Sequence, residues 1–419
     1  MIIVNQNLRI TQYYNSKKYA ITIPRETQAI IDVNEVVYEI LREINDRKLD
    51  TYEKLSKVLG ASVIKKLFAK KIILDSTEFI YNENVLDKLD VEFPLHAITI
   101  ELTNACNLNC IHCYGRFGQP SIKRMYTLEN VVALKGELDR LHTMEVRLSG
   151  GECFMNPDFQ KIALFFLDNG FKVSIYTNGF DTDRIIEFAE ATKDYYYFMG
   201  ISLDGTEEYH NTIRGNEKAF VNVCNTLTRL KDYTNIDILI ATAVMKQNFE
   251  NVQNVKELKV ERFPEYEQRI FLATPVNNTD FSFDYTEIPF LKDMCPEMFD
   301  IYYAGKDNRL SPRKKHRCQG GVGHGVLTVE GIMKMCPIAE EDVFIIGDIT
   351  KSSLFDVWVN PKETIKYFRG EYVKDMPQCK KCRYKLKCGI NNCRIEALRL
   401  SGNYKNANPY TCMVVKGKY

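Results

Sequence analysis

No stretch of the 419-residue chain runs to eighteen apolar residues, and the opening MIIVNQNLRITQYY has no long apolar segment. Those absences argue against a membrane-spanning helix and a secretory signal, so a soluble, cytoplasmic chain with no membrane partner is expected. Charge of one sign is also missing: Lys and Arg total 56 against 55 Asp and Glu, a formal +1. A strongly basic nucleic-acid binder and an acidic tail protein both fit that balance poorly. Cysteine, at 13 residues, is too sparse for a disulfide scaffold, and no solenoid-type repeat is present. What is there is globular composition, 45% hydrophobic and 26% charged. The length suits about three domains. The thiols are the anomaly, because their number is odd and most fall in two tight clusters. In a reducing cytosol, clustered thiols point to metal ligands or catalysts rather than disulfides.

Residues 1–75 read as one small unit. Lys17–Ile23 has strand character, and Val33, Val36, Val37, Ile40, Leu41 and Ile44 share one helical face at spacings of three and four. Shorter helical patterns follow over Tyr52–Leu59 and Val63–Ala69, and Lys71–Leu74 reads as a closing strand. A hairpin, three helices and a strand make a winged-helix-like module. The polar stretch 76–94 reads as a linker. From 95 to 280, apolar strands alternate with helical patterns, which predicts an α/β parallel sheet with crossover helices, open or closed into a barrel. Functional groups are then expected just beyond the C-terminal ends of the strands. From 281 to 419 the apolar periodicity weakens and eight cysteines appear, from Cys295 onward.

The first cluster, Cys106, Cys110 and Cys113 (CNLNCIHC), follows the first core strand. Four thiolates would close a structural zinc site or a saturated cluster. Three on one loop can hold three irons of a 4Fe–4S cube and leave the fourth open. Half of a zinc site, completed by a residue such as His112, is the bland alternative. The spacing Cys-x3-Cys-x2-Cys followed by Tyr114 resembles the radical S-adenosylmethionine (radical SAM) superfamily, whose fold is typically a partial (β/α)6 barrel. Downstream landmarks extend the resemblance. Gly150, Gly151 and Glu152 follow the second strand, and the family's corresponding segment holds the SAM amino group. Thr177 and Asn178 end the third strand, and Ser202 and Asp204 end the fourth, where the family commonly carries ribose-binding groups. Arg214 resembles a residue that pairs with the SAM carboxylate, which suits a planar bidentate donor. Asn248 follows the fifth strand. Each alone is more often a cap or turn residue; their succession at strand ends carries the resemblance over about 180 residues.

Cys318, Cys336, then Cys379-x2-Cys382-x5-Cys388-x4-Cys393 and finally Cys412 are similar to the seven-cysteine SPASM extension of radical SAM enzymes. That resemblance implies two auxiliary 4Fe–4S clusters besides the SAM-binding one. Cys318, Cys336 and Cys393 would ligate the nearer, and Cys379, Cys382, Cys388 and Cys412 the farther. The gap before Cys393 is four residues, where the extension usually has three. Cys295 lies 23 residues upstream of Cys318 as a candidate fourth ligand. Two zinc knuckles are the bland reading of the same thiols. Cys153 and Cys224 fit neither pattern and read as buried small hydrophobes.

The basic helix candidate SVIKKLFAKK carries four lysines and no Arg, Asn or Gln in position to read base edges. The amino-terminal module resembles instead the precursor-recognition element of enzymes that modify ribosomally made peptides, which binds a leader by strand addition. Together these resemblances imply a radical SAM/SPASM maturase acting on a ribosomally synthesised precursor peptide. Residues 1–75 would bind its leader, and a flavodoxin or ferredoxin would donate electrons. A Cys thioether is the leading outcome, because the resemblance assigns the nearer auxiliary cluster three thiolates. Carbon–carbon or carbon–oxygen crosslinking, formylglycine-type maturation of a protein and a zinc- and DNA-binding regulator stay open. No catalytic base is nominated.

Overall fold

A computed structural model describes residues 1–13, 17–88, 90–118, 121–274, 282–298, 318–370, 376–384 and 393–417. The amino-terminal unit runs β1 (Ile2–Val4), β2 (Arg9–Gln12), β3 (Lys18–Ile23), β4 (Thr27–Asn34), α1 (Glu35–Asn45), α2 (Tyr52–Ser56), α3 (Ala61–Ala69) and β5 (Ile73–Asp75). The strands β2, β3 and β4 form an antiparallel meander, while β5 returns to pair with β1. Leu41, Ile44, Leu55, Ile64 and Leu67 from the helices close on Ile10, Ile21 and Ile23 in one buried core. The first helix starts later than its apolar spacing predicts. Asn34 accepts from the Val37 N–H as its cap. The β-branched run before it extends β4, so Val33 lies in that strand and not on the helix. The expected linker is not loose throughout. Asn82 is buried and its amide donates to the carbonyls of Asn5 and Leu8, which ties this stretch to the unit.

The central region then runs β6 (Ala97–Glu101), α4 (Leu128–Arg140), β7 (Glu145–Ser149), α5 (Phe159–Asp168), β8 (Lys172–Thr177), α6 (Thr182–Ala191), β9 (Tyr197–Ser202), α7 (Glu207–Arg214), α8 (Ala219–Arg229), β10 (Ile236–Val244), α9 (Val252–Arg262) and β11 (Glu267–Leu272). The six strands are parallel and lie in chain order across the sheet. Ile98, Ile100, Val146, Leu148, Val173, Ile175, Met199 and Ile201 are 0% exposed and share a core with Val131 and Leu138 of α4, Ile162 of α5 and Phe188 of α6. Burying each such side chain contributes roughly 1.5–3 kcal/mol. The alternate residues along these strands therefore face away from the helices.

The carboxy-terminal region adds α10 (Ile288–Met294), β12 (His324–Leu327), β13 (Ile332–Lys334), β14 (Ile345–Asp348), α11 (Leu354–Val359), α12 (Glu363–Arg369), α13 (Pro377–Lys380), α14 (Arg394–Ser401) and α15 (Pro409–Lys416). Its strands extend the central sheet: β12 pairs in parallel with β6, and β13 and β14 follow antiparallel. The weak periodicity of this region concealed that pairing.

Residues 1–75 dock on the segments that lead into β6, β7 and β8, at the end of the sheet opposite the expected site. Arg9 is 0% exposed. It donates to Thr143 O and Asp139 Oδ1, both at 2.7 Å, with its guanidinium 3.8 Å from the Phe171 ring centre. Thr22 donates to Gly170 O at 2.6 Å and Asn7 to Leu167 O at 2.9 Å. The Gln12 N–H donates to His142 Nδ1, while His96 Nε2 donates to Gln12 O.

Candidate active site

The loop after β6 carries Cys106, Cys110 and Cys113, all half-buried and none in a disulfide. It is held on three sides. On one, the Gly151 N–H donates to Thr103 O at 2.7 Å and the Glu152 N–H to Ala105 O at 2.9 Å. A Cβ on Gly151 would sit 2.1 Å from Ala105 O, and one on Gly150, at φ +135°, 2.4 Å from Thr103 O. Only glycine lets the β7 loop lie this close to the cysteine loop. On the second side, the Asn109 N–H donates to Arg214 O and the Ile111 N–H to Ile213 O. Gly215 ends α7 in the left-handed region beside Asn109 O. On the third, Asn104 exchanges bonds with Ile122 and Arg124.

Two nitrogen donors address the sulfurs. Arg214 Nη1 lies 3.6 Å from Cys110 Sγ, and Asn178 Nδ2 lies 3.9 Å from Cys106 Sγ and 2.8 Å from Asn107 Oδ1. Burial pushes the Cys106 thiol up to about 12. Ligation requires the thiolate, so loading this site expels protons that water alone does not remove at neutral pH. N–H groups on thiolate sulfur are what an iron–sulfur ligand set uses to tune its potential. The buried Arg214 Nε has no hydrogen-bond partner. Three thiols on one loop, two N–H donors on their sulfurs and a buried guanidinium with a spare donor fit a SAM-binding cluster.

Several residues expected to touch SAM have partners inside the chain. Glu152, 2% exposed, accepts from Thr177 Oγ1 and Asn178 N, each at 2.8 Å, and from Phe154 N. Its carboxyl is shifted up, burial outweighing those four bonds with Cys153 Sγ included. Thr177 and Asn178 are thereby locked to the β7 loop. Asp204 Oδ2 lies 2.6 Å from Arg214 Nη2 and Oδ1 accepts from Ala243 N. Burial opposes its charge, but Arg214 and the nearby His112 and His210 hold it below the usual carboxylate range. Ser202 is half-buried at the end of β9. Asn248 is 1% exposed and donates to Asp204 O and Ala243 O, a loop-fastening role.

Sequence reasoning missed Glu101 and Lys334. Glu101, at the end of β6, accepts from Tyr114 Oη at 3.2 Å and lies 3.8 Å from Lys334 Nζ of β13. Burial raises its carboxyl pKa, against Lys334 and Tyr114. An acid ending the strand AITIE, in a buried parallel sheet, was the available signal.

Of the second cluster, Cys318, Cys336 and Cys393 lie within electrostatic reach of one another. Cys379, Cys382 and Cys412 form a second such set. Cys388 and the four residues before Cys393 lie outside the described residues. Cys295 is buried with Leu291, Met298, Tyr410 and Val414, its thiol bonded to Glu297. Among the described residues no three His, Cys, Asp or Glu side chains already converge on one metal position. Cys153 and Cys224 are buried, at 0% and 2% exposure. Among the described residues no helix is long and apolar enough to cross a membrane.

Comparison with known proteins agrees with this geometry. Residues 100–258 match the Radical SAM superfamily and residues 318–383 the SPASM iron-sulfur cluster-binding domain. The AdoMet-dependent heme synthase of Methanosarcina barkeri is 28% identical over 350 residues, covering 77% of this chain and 97% of that protein. The antilisterial bacteriocin subtilosin biosynthesis protein AlbA of Bacillus subtilis is 32% identical over 177 residues, only 41% of this chain and 38% of AlbA. Streptococcus suis SuiB, solved bound to precursor peptide SuiA, superposes with a TM-score of 0.65 at 13% identity, covering 98% of this chain and 100% of SuiB. That likeness is one of fold.

Proposed function

We propose that this chain, an enzyme with radical SAM and SPASM domains, matures a ribosomally made precursor peptide and installs a crosslink in it, with a Cys thioether as the leading product. The observation that carries the reading is the β6–α4 loop, whose three thiols lie beside Arg214 and Asn178. Cys106, Cys110 and Cys113 would hold the SAM-binding 4Fe–4S cluster, with the two carboxy-terminal sets of thiols, Cys388 included, holding auxiliary clusters. When bound, the cluster and SAM supply reductive cleavage to a 5′-deoxyadenosyl radical that takes a hydrogen atom from the peptide. Arg214, fixed by Asp204, has its Nε without a partner and would turn its remaining N–H groups to the SAM carboxylate. Gly150, Gly151 and Glu152 line its approach, and Ser202 and Asp204 stand at the neighbouring strand end. Glu152 keeps the β7 and β8 loops in register, and its Oε2, which accepts from Asn178 N, would also take the SAM amino group. The thioether is favoured because Cys318, Cys336 and Cys393 form a set of three, while Cys295 packs with Leu291, Met298, Tyr410 and Val414 and bonds Glu297.

The amino-terminal unit would act as a winged-helix-like leader-binding element, with the leader added as a strand along β4. That strand has one paired neighbour, β3, among the described residues. Because the unit sits at the opposite end of the sheet, the peptide between leader and modified residue must pass at least one strand length. Six residues of β8 at about 3.3 Å each make roughly 20 Å. A small electron-transfer protein such as flavodoxin or ferredoxin would supply the electron. Similarity to the heme synthase over nearly its whole length favours a second reading, in which a tetrapyrrole is the substrate. The test is anaerobic reconstitution with SAM, a reductant and the peptide encoded beside this gene. A loss of two hydrogens per crosslink in the peptide mass, with iodoacetamide labelling lost at one cysteine, supports a thioether. An unaltered peptide together with a modified iron porphyrin supports the second reading instead.

A further inference from the structure

Two thiol-bearing segments from distant parts of the chain meet at one carboxylate. Glu101 is the last residue of β6, its side chain 3% exposed, and its Oε1 accepts from the Tyr114 hydroxyl at 3.2 Å. Tyr114 directly follows Cys113. The same oxygen lies 3.8 Å from Nζ of Lys334, the last residue of β13, which stands two positions before Cys336. These residues are not on neighbouring strands. Val326 of β12 pairs with Thr99 of β6 on one side and with Lys334 on the other. The ammonium therefore crosses β12 to reach an acid two residues beyond Thr99, over two strand spacings or roughly 10 Å.

The same ammonium fixes the turn that carries Cys336. Lys334 Nζ donates to Pro337 O at 3.1 Å and lies 5.7 Å from the Tyr114 ring centre. Arg399, held by Glu341 at 2.7 Å, donates to Ile338 O at 2.8 Å and fastens the next residue. Ile338 and Tyr114 in turn pack on one buried patch of Ile213, Ala243, Met245 and Ala273. A polar tie and an apolar one thus both run between the Cys113–Tyr114 segment and the Cys336 turn. A buried ion pair holds a fold no better than well-packed apolar side chains of similar volume would. What it adds is a fixed meeting point, because a buried charge that loses its partner is costly.

We propose that Glu101 and Lys334 are positioning residues that lock the Cys336 turn to the Cys113–Tyr114 segment, and so fix the nearer auxiliary thiols relative to the SAM site. The proposal rests on the reading of the chain as a radical SAM/SPASM peptide maturase. The test uses the anaerobically reconstituted full chain with SAM, dithionite and the peptide encoded beside this gene. Crosslink formed per 5′-deoxyadenosine released should fall about tenfold in Glu101→Gln and in Lys334→Met, a change of roughly 1.4 kcal/mol in relative barrier height. Glu101→Gln keeps the side-chain shape and an acceptor for Tyr114, which guards against a variant that merely fails to fold. The double variant should lose no more than either single one, as expected of two groups in one contact. Lys334→Arg, which keeps the charge, should recover most of the yield. A second readout needs no peptide. With Cys106, Cys110 and Cys113 all changed to Ala, the electron paramagnetic resonance spectrum of the dithionite-reduced auxiliary clusters should alter when Glu101→Gln is added. Glu101 lies on the SAM side, so only a tie to the Cys336 turn carries its loss to those clusters. Losses that add in the double variant, or a spectrum unmoved by Glu101→Gln, overturn the lock. If the wild type leaves the peptide mass unchanged, the maturase reading fails, and the spectrum alone decides the lock.

Discussion

The two ends of the central sheet solve different problems. At the base, side chains of residues 1–75 bond to backbone groups more than 130 positions away, through Arg9, Asn7 and Thr22. At the mouth, loops at successive strand ends bring three thiols, an Arg–Asp pair and two glycines without room for a methyl group into one place. The base anchors a separate unit on the sheet; the mouth fixes reactive groups on loops. Substitutions at the two ends should accordingly fail in different assays.

The largest expected effect is at the mouth. Gly151→Ala drives a methyl into Ala105 O and displaces the cysteine loop. 5′-Deoxyadenosine formation should fall about a thousandfold, a barrier increase of roughly 4 kcal/mol. Iron bound to the Cys106 site should drop with it, while the thermal unfolding midpoint moves little. A variant that keeps full iron and rate would break the comparison. At the base, Arg9→Ala removes a fully buried guanidinium that bonds Thr143 O and Asp139, leaving Asp139 with Lys135 as its partner. Each such charge-assisted bond is worth about 1.5–3 kcal/mol. Urea unfolding should show that loss, with iron per folded molecule unchanged.

Acid should loosen the base next. Burial pushes the His96 pKa down to about 4 and the His142 pKa down to about 3. Both are depressed below the unfolded value near 6.5, so the unfolded chain binds more protons between these limits and stability falls as pH drops from 6.5 toward 4. Each His contributes on the order of 3 kcal/mol to that fall. Unfolding midpoints across the range should flatten in His142→Asn, and an unaltered slope would contradict the assignment. The smallest effect is expected at Arg25, which pairs with Asp168 at the same interface but is half-exposed. Arg25→Ala should cost under about 1 kcal/mol, and a loss equal to that of Arg9→Ala would erase the distinction between dry and wet contacts.

What was legible in the sequence follows from range. The six parallel strands and the loops at their ends repeat a local pattern, which gave the strand ends, and the family resemblance then singled out Cys106, Gly151, Thr177 and Asp204 there. Pairings between distant segments could not. Nothing near His324 signals that β12 joins β6, and nothing near Asn82 signals that it fastens the turn before β2 to α1. Arg214 and Asp204 were both legible as site residues, yet their mutual ion pair depends on how α7 turns back over the cysteine loop. Glu152 reads as a ligand for an ammonium from its local motif, but that motif says nothing of the β8 hydroxyl and N–H groups that its carboxylate also bonds.

The most direct test of the cysteine loop is a comparison of anaerobically reconstituted wild type with Cys110→Ala, following iron, sulfide and 5′-deoxyadenosine with dithionite as reductant. Wild type should carry cluster iron and cleave SAM, and the variant should lose one cluster's worth of iron together with all cleavage. Zinc in place of iron and sulfide, or cleavage persisting at the wild-type rate without Cys110, would contradict the assignment of that loop.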